Sequence, residues 1–169
     1  VSQDGYLALW DALSRNSIFV TGAGVSDDHS GKSWLSQVTN FFTWAWAENT
    51  DMPSLLAAMA SGRVYFGNPT LWRGQLDLIV DGYVPMGSAT VSHATARSAQ
   101  LVATELPSGS TVELVRGVVD YAGSTVPDPQ ATTTVLQATA FTSGRFNVEV
   151  DTSTGCFVRA NVRSSWGGV

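Results

Sequence analysis

The feature that most constrains the fold is a series of short segments rich in β-branched and aromatic residues, which begins near residue 76. We predict strands at residues 76–80, 99–105, 111–119, 132–141, 146–150 and 157–162. Turn-forming residues separate these segments, and Asp81-Gly82 is a strong hairpin signal. Short strands at this spacing predict an antiparallel β-sandwich-like domain over residues 71–169.

The first seventy residues follow a different pattern. Residues 4–14 place apolar side chains on one face at helical spacing, which predicts an amphipathic helix. The β-branched run at 18–21, followed by a Gly-Ala-Gly sequence, predicts a buried strand, and residues 54–61 and 64–66 predict a second helix and strand. A helix followed by a buried strand is typical of an α/β unit. We therefore predict an α/β domain over residues 1–70, whose opening helix needs a sheet that this sequence lacks.

Composition limits the classes of partner. The formal net charge is −5 and the arginines are scattered, whereas a nucleic-acid-binding surface needs clustered lysine and arginine. No apolar run approaches the roughly 20 residues of a membrane span. Charged residues make up 14% of the chain, below the about 25% of an average soluble domain, which favours a β-rich or secreted protein. A single cysteine, Cys156, excludes an internal disulfide and a cysteine-based zinc site.

The candidate chemical site follows the predicted strand at 18–21. Asp27 and His29 are two residues apart, so in an extended segment their side chains project to the same side. The carboxyl ends of strands in α/β folds are where ligands and catalytic groups gather. A carboxylate and an imidazole that converge there form half of a divalent metal site. The alternative is an Asp-rich turn that carries a solvated histidine.

Residues 9–67 resemble the C-terminal portion of the PHP superfamily (polymerase and histidinol phosphatase), particularly its phosphoesterase-like members. The resemblance rests on a helix of the form Leu-Trp-Asp-Ala-Leu at 9–13, the Ser-Asp-Asp-His element at 26–29 and a tryptophan-containing loop. A helix and strand at 56–65 follow in the same order. Members of this type often continue into a β-rich extension, which residues 81–87 and 157–160 resemble.

The resemblance implies the C-terminal remnant of a distorted (β/α)7 barrel and metal-assisted hydrolysis of a small phosphoester. In the family's last ligand motif the Asp and the His both bind metal (Zn, Mn or Fe), and these correspond to Asp27 and His29. The chain holds two histidines, too few for a multinuclear centre of that type. We therefore expect a missing barrel segment or a second chain to complete the site, the isolated chain to be inactive, and a homo-oligomer to be possible.

Three further residues are candidates for substrate binding. Trp44 and Trp46 would face the same side of an extended segment and could form a sugar-stacking platform or a substrate wall. We favour packing for both, because tryptophan is mostly buried. Arg63 could hold an anionic substrate through paired hydrogen bonds, or it could pair with a carboxylate. The alternative function for the whole chain is a non-catalytic β-sandwich module that binds carbohydrate or a protein.

Overall fold

The structure is a computed structural model and describes residues 3–26, 28–29, 31, 41–120, 133–164 and 167–168. Two helices and ten strands lie in these ranges. They follow the order α1 (Gln3–Arg15), β1 (Phe42–Ala45), α2 (Met52–Ala60), β2 (Val64–Gly67), β3 (Leu76–Val80), β4 (Val84–Pro85), β5 (Ala96–Ala103), β6 (Thr111–Val118), β7 (Thr133–Ala140), β8 (Gly144–Asp151), β9 (Cys156–Ser164) and β10 (Gly167–Gly168).

The strands after residue 75 form two four-stranded sheets, in the orders β4-β3-β5-β8 and β10-β9-β6-β7, and every pairing is antiparallel. Alternate residues of both sheets enter one hydrophobic core. Its fully buried members are Ala99, Leu101, Ala103, Val112 and Leu114. The predicted antiparallel β-region is confirmed, and the sheets do not close into a barrel.

The Asp81-Gly82 turn has the geometry that its sequence predicts. Asp81 and Gly82 have φ values of 52° and 76°, and the Tyr83 N–H donates to the carbonyl oxygen of Val80 over 3.2 Å. Two consecutive residues at positive φ are the signature of the type I′ hairpin turn. The turn reverses the chain between β3 and β4.

Helix α2 begins and ends with conventional signals. The Asp51 carboxylate accepts a hydrogen bond from the Ser54 N–H at 2.8 Å, which caps the first turn. Gly62, with φ +70°, follows the last turn. A Cβ on Gly62 would lie 2.9 Å from the Gly87 Cα, and a Cβ on Gly87 would lie 2.1 Å from the Ser61 carbonyl oxygen. The end of α2 therefore rests directly on the backbone that follows β4.

The predicted strand at residues 18–21 is wrong. No regular secondary structure is present there, and Phe19 is 75% exposed. No backbone hydrogen bond joins residues 19–23 to another described residue. A strand needs a neighbouring strand to pair its peptide groups, and nothing in the described structure supplies one along this stretch. The sequence preference for an extended chain is present, but the partner is not.

Helix α1 exists as predicted, but its predicted apolar face is only partly covered, with Trp10 packed against Phe66. Tyr6 and Leu9, which belong to the predicted apolar face, are exposed, whereas Asp11 and Ala12 are buried. Three ion pairs lie along one side of the helix, at positions related by whole helical turns. They are Asp4–Arg163, Asp11–Arg159 and Arg15–Asp120. The nearly buried Asp11–Arg159 pair thus joins this side of α1 to β9, while the other two pairs are more exposed to water.

Candidate functional site

The turn that carries His29 is attached to strand β1. The Gly24 N–H donates to Thr43 Oγ1, and the same hydroxyl donates to the Gly24 carbonyl oxygen, both over 2.9 Å. Further along, the Asp28 N–H donates to Ser26 Oγ over 3.2 Å, which tightens the turn. The side chain of His29 is exposed. The segment before the histidine is therefore fixed on the β1–β2 hairpin.

Two glycines permit this attachment. A Cβ on Gly22 would lie 2.7 Å from the Phe66 ring and 3.1 Å from the Trp10 ring. A Cβ on Gly24 would lie 2.9 Å from the carbonyl oxygen of Phe42. A larger residue at Gly24 would need a backbone shift, and one at Gly22 would need the Phe66 ring to move, so the two glycines let the segment pass close to α1 and the hairpin. Thr21 Oγ1 also donates to the Met59 carbonyl oxygen, which joins the segment to α2.

Only one of the two predicted metal ligands lies within the described residues. Asp27 lies outside the described residues, and His29 lies in the turn described above. Among the residues that the structure describes, no three His, Cys, Asp or Glu side chains form a group that could hold a metal ion. The assignment of Asp27 and His29 as metal ligands therefore stays a prediction, and any further ligands would come from elsewhere.

The predicted aromatic pair lies in a packed cluster. Trp44 stacks on Tyr65, its direct cross-strand partner, with ring centroids 5.5 Å apart and planes 6° from parallel. The rings of Trp72 and Trp46 lie 5.6 and 6.4 Å from Tyr65. The Trp46 indole N–H donates to the Leu76 carbonyl oxygen over 3.0 Å. These contacts join β1 and β2 to the start of β3, as the packing interpretation expects. A substrate-binding role for either tryptophan stays a prediction.

Arg63 has a carboxylate beside it. Its Nη2 lies 3.7 Å from the Asp77 carboxylate, while its buried Nε has no hydrogen-bond partner. Partial burial raises the pKa of Asp77, and the Arg63 guanidinium opposes that shift. Burial also raises the pKa of the neighbouring Tyr65 phenol, whose hydroxyl donates to the Gly74 carbonyl oxygen. Arg63 thus lies beside a carboxylate, as the alternative interpretation expects, and its contact with an anionic substrate stays a prediction.

A second polar site was missed by the sequence analysis. A surface groove of about 270 Å³ lies where β5 and β8 pair beside the β3–β4 turn. Its lining consists of Asp81, Ala96, Arg97, Ser98, Asn147 and Glu149. These residues come from three separate parts of the chain, so no local motif marks them. The Asp81-Gly82 turn is the only part of this site that the sequence indicated.

Comparisons with protein-family models, with curated proteins and with solved structures found no match for this chain. No helix among the described residues is long and apolar enough to cross a membrane.

Proposed function

We propose that this chain is the C-terminal part of a metal-dependent hydrolase of the phosphoesterase type. In this proposal Asp27 and His29 are the last metal ligands, and the β-region after residue 70 is an accessory domain. The remaining ligands come from a barrel segment of the same polypeptide or from a second chain. One observation supports the proposal most strongly: the α/β part of the chain exposes the surface that it would bury against such a segment.

Most of the large apolar side chains that are exposed among the described residues lie before residue 60. They are Tyr6, Leu9, Ile18, Phe19, Val20, Val25, Met52, Leu55, Leu56 and Met59. They belong to α1, to the segment that follows it and to α2, and the hydrogen bond from Thr21 Oγ1 to the Met59 carbonyl oxygen joins that segment to α2. Soluble proteins rarely leave large contiguous apolar surfaces in water, so such surfaces mark sites of association.

The segment at 18–23 also carries peptide groups ready for pairing. Its residue types favour a strand, and its backbone makes no hydrogen bond to another described backbone group beyond Ile18, whose N–H donates to Leu13. An additional strand would satisfy these groups and cover the exposed side chains on one face. His29 would then follow the carboxyl end of a paired strand, where the ligands of α/β enzymes gather.

Bound divalent ions would lower the pKa of a coordinated water and neutralise charge on the phosphate oxygens. Within this chain, the Asp27 carboxylate and the His29 imidazole would hold one such ion. The two hydrogen bonds between Gly24 and Thr43 would fix the distance of that turn from the hairpin. The role of the chain's own residues would be to position the metal ion, not to transfer a proton.

The test uses the polypeptide extended upstream of residue 1, assayed for bound metal and for hydrolysis of bis(p-nitrophenyl) phosphate. Asp27→Ala and His29→Ala should each lower bound metal and abolish activity, while circular dichroism stays unchanged. The matched control is His93→Ala, since His93 is also exposed but lies beyond β4. Full activity of the Asp27→Ala/His29→Ala double variant would refute the proposal.

Hydrogen exchange tests the structural half of the proposal separately. In the isolated chain, the amides of residues 19–23 should exchange rapidly, because no described backbone group protects them. In the extended polypeptide they should become protected, whereas the β5 amides should be protected in both. Rapid exchange at 19–23 in the extended polypeptide would show that no strand pairs there.

The alternative function, a non-catalytic module that binds carbohydrate or a protein, is favoured by the polar groove beside β8. It is compatible with the hydrolase proposal, because an accessory β-domain can bind a ligand of its own.

A further inference from the structure

We infer that the edge strand β8 pairs with β8 of a second copy of this chain, antiparallel across a twofold axis at Asn147. This interface is separate from Asp27 and His29 and from the apolar surface that precedes residue 60. The inference rests on the free edge of β8, on the direction of its peptide groups, and on a charge pattern that is complementary to itself.

Strand β8 is the most regular edge that the described sheets offer. The sheet order β4-β3-β5-β8 leaves β5 as its one neighbour among the described strands. The eight residues of β8 pair with β5 without a register shift. By contrast, the edge strands β4 and β10 have two residues each, and β7 pairs with β6 through a register shift. A long and regular edge is the kind that accepts another strand.

The hydrogen bonds of Ser98 show which peptide groups of β8 point outward. The Ser98 carbonyl oxygen accepts from the Asp81 N–H over 2.8 Å, and the Ser98 N–H donates to the Asp81 carboxylate, so both groups face β3. Glu149 lies opposite Ser98 and therefore directs its own N–H and C=O away from β5, toward the free edge. This direction alternates along a strand, so Asn147 and Arg145 present their peptide groups at the same edge.

The next outward group along β8 is already engaged. The Asp151 carbonyl oxygen accepts from Arg116 Nε over 2.6 Å, which closes this end of the edge. The free part of the edge therefore runs from Arg145 to Glu149, with Asn147 at its centre. A strand centred on Asn147 can pair with all of the free groups.

The charges on this edge select the second copy as the occupant. Arg145, Asn147 and Glu149 are exposed and lie on one face of the sheet. Neither Arg145 nor Glu149 makes an ion pair or a hydrogen bond with another described residue. A twofold axis at Asn147 places Arg145 opposite the partner's Glu149, and Glu149 opposite the partner's Arg145. Opposite charges that face each other directly across two strands attract, so the edge is its own complement.

The other face of the pair is apolar. Phe146 and Val148 are half-buried and pack against the hydrophobic core. The same axis places Phe146 opposite the partner's Val148, and such apolar cross-strand pairs stabilise a sheet. Pairing of the two copies would therefore extend the apolar layer together with the backbone ladder.

The test is sedimentation equilibrium of the full 169-residue chain. The interface is a single pair of strands, so we expect a Kd of about 10 μM. The mass should rise from 17.9 kDa at about 1 μM toward twice that value at about 200 μM. Hydrogen exchange measured by NMR should slow at the amides of residues 145, 147 and 149 in the concentrated sample. The amides of residues 146 and 148 bond to β5 and should be protected in both samples.

Charge reversal tests the register. Arg145→Glu and Glu149→Arg each place like charges at both ends of the interface and should weaken the dimer at least tenfold. The double variant Arg145→Glu/Glu149→Arg restores opposite charges and should dimerise as the unaltered chain does. The matched control is Glu48→Arg, which makes the same change of charge at an exposed residue outside the β-region and should leave the Kd unchanged. Circular dichroism checks that every variant is folded.

Three results would overturn the inference. The first is a chain that stays monomeric at about 200 μM. The second is a dimer in which the amides of residues 145, 147 and 149 exchange as they do in the monomer, since such a dimer would form through another surface. The third is a failure of the charge test, in which the single variants dimerise normally or the double variant stays monomeric. None of these results bears on the metal ligands proposed above.

Discussion

The ion pair between Asp11 and Arg159 offers the sharpest test of how α1 is held. The two Arg159 donors Nε and Nη2 contact the Asp11 carboxylate oxygens at 2.8 and 2.7 Å, which is a bidentate arrangement between residues 148 positions apart. The side chains are 14% and 9% exposed, so both charges are almost completely removed from water. Asp11→Ala would leave the Arg159 guanidinium with Asn161 as its remaining described side-chain partner.

The expected cost follows from that burial. Breaking one side of a buried ion pair typically costs about 3–5 kcal/mol, because the remaining charge is left uncompensated. Arg159 keeps one hydrogen bond and some access to water, so we place Asp11→Ala at about 3 kcal/mol. For a domain of this size that free-energy change corresponds to a fall in Tm of roughly 6–12 °C. Urea denaturation followed by circular dichroism measures it directly.

The control is a second aspartate on the same face of the same helix. Asp4 is 79% exposed and lies 3.6 Å from Arg163, so Asp4→Ala should cost no more than about 0.5 kcal/mol. Both substitutions make the same chemical change within α1. The double variant Asp11→Leu/Arg159→Met replaces the pair with apolar residues and should recover most of the lost stability. A cost below about 0.5 kcal/mol for Asp11→Ala would refute the claim that this ion pair anchors α1.

Three further predictions concern the β-region. In urea denaturation, Gly87→Ala should destabilise the fold by more than Gly82→Ala. The two glycines have similar φ values, 79° and 76°, but a Cβ on Gly87 would lie 2.1 Å from a backbone oxygen, whereas a Cβ on Gly82 would face open space. Hydrogen bonds from Arg97 and Ser98 lower the pKa of Asp81. The stability that Asp81 adds relative to Asp81→Asn should therefore be full above about pH 4 and disappear as the pH falls through that lowered pKa. An unchanged difference in stability at about pH 2 would contradict this. Trp72→Ala should lower the free energy of unfolding by about 3–5 kcal/mol in the same assay, because Trp72 is buried in the core and its indole N–H donates to the Thr104 carbonyl oxygen over 2.8 Å. A loss below about 1 kcal/mol would contradict this role in the core.

The segment at 18–21 shows where sequence reasoning reaches its limit. Its β-branched residues favour an extended chain, and on that basis the sequence predicted a strand. A strand, however, is a property of two segments, since its peptide groups must pair with a neighbour. The described structure contains no such neighbour for residues 19–23, so the local preference alone produced no strand.

Helix α1 gives the complementary lesson. Apolar periodicity correctly predicted a helix, because that pattern reflects local spacing along the chain. The side of α1 that meets β9 carries the buried ion pair of Asp11 with Arg159, which lies 148 positions away. Periodicity locates an apolar face of a helix, but it does not show whether the fold contains a surface that packs against that face.

The sequence by itself determined local preferences: the extended segments of the β-region, the cap of α2 at Asp51 and the turn at Asp81-Gly82. Each depends on residues within a few positions of one another, where backbone sterics and short-range hydrogen bonds dominate. Only the tertiary structure decided that β5 pairs with β8 and β6 with β9, because strand order depends on how all the buried faces fit together. The same long-range pairing brings Ser98 beside Glu149, and so creates a surface groove that no local pattern contains.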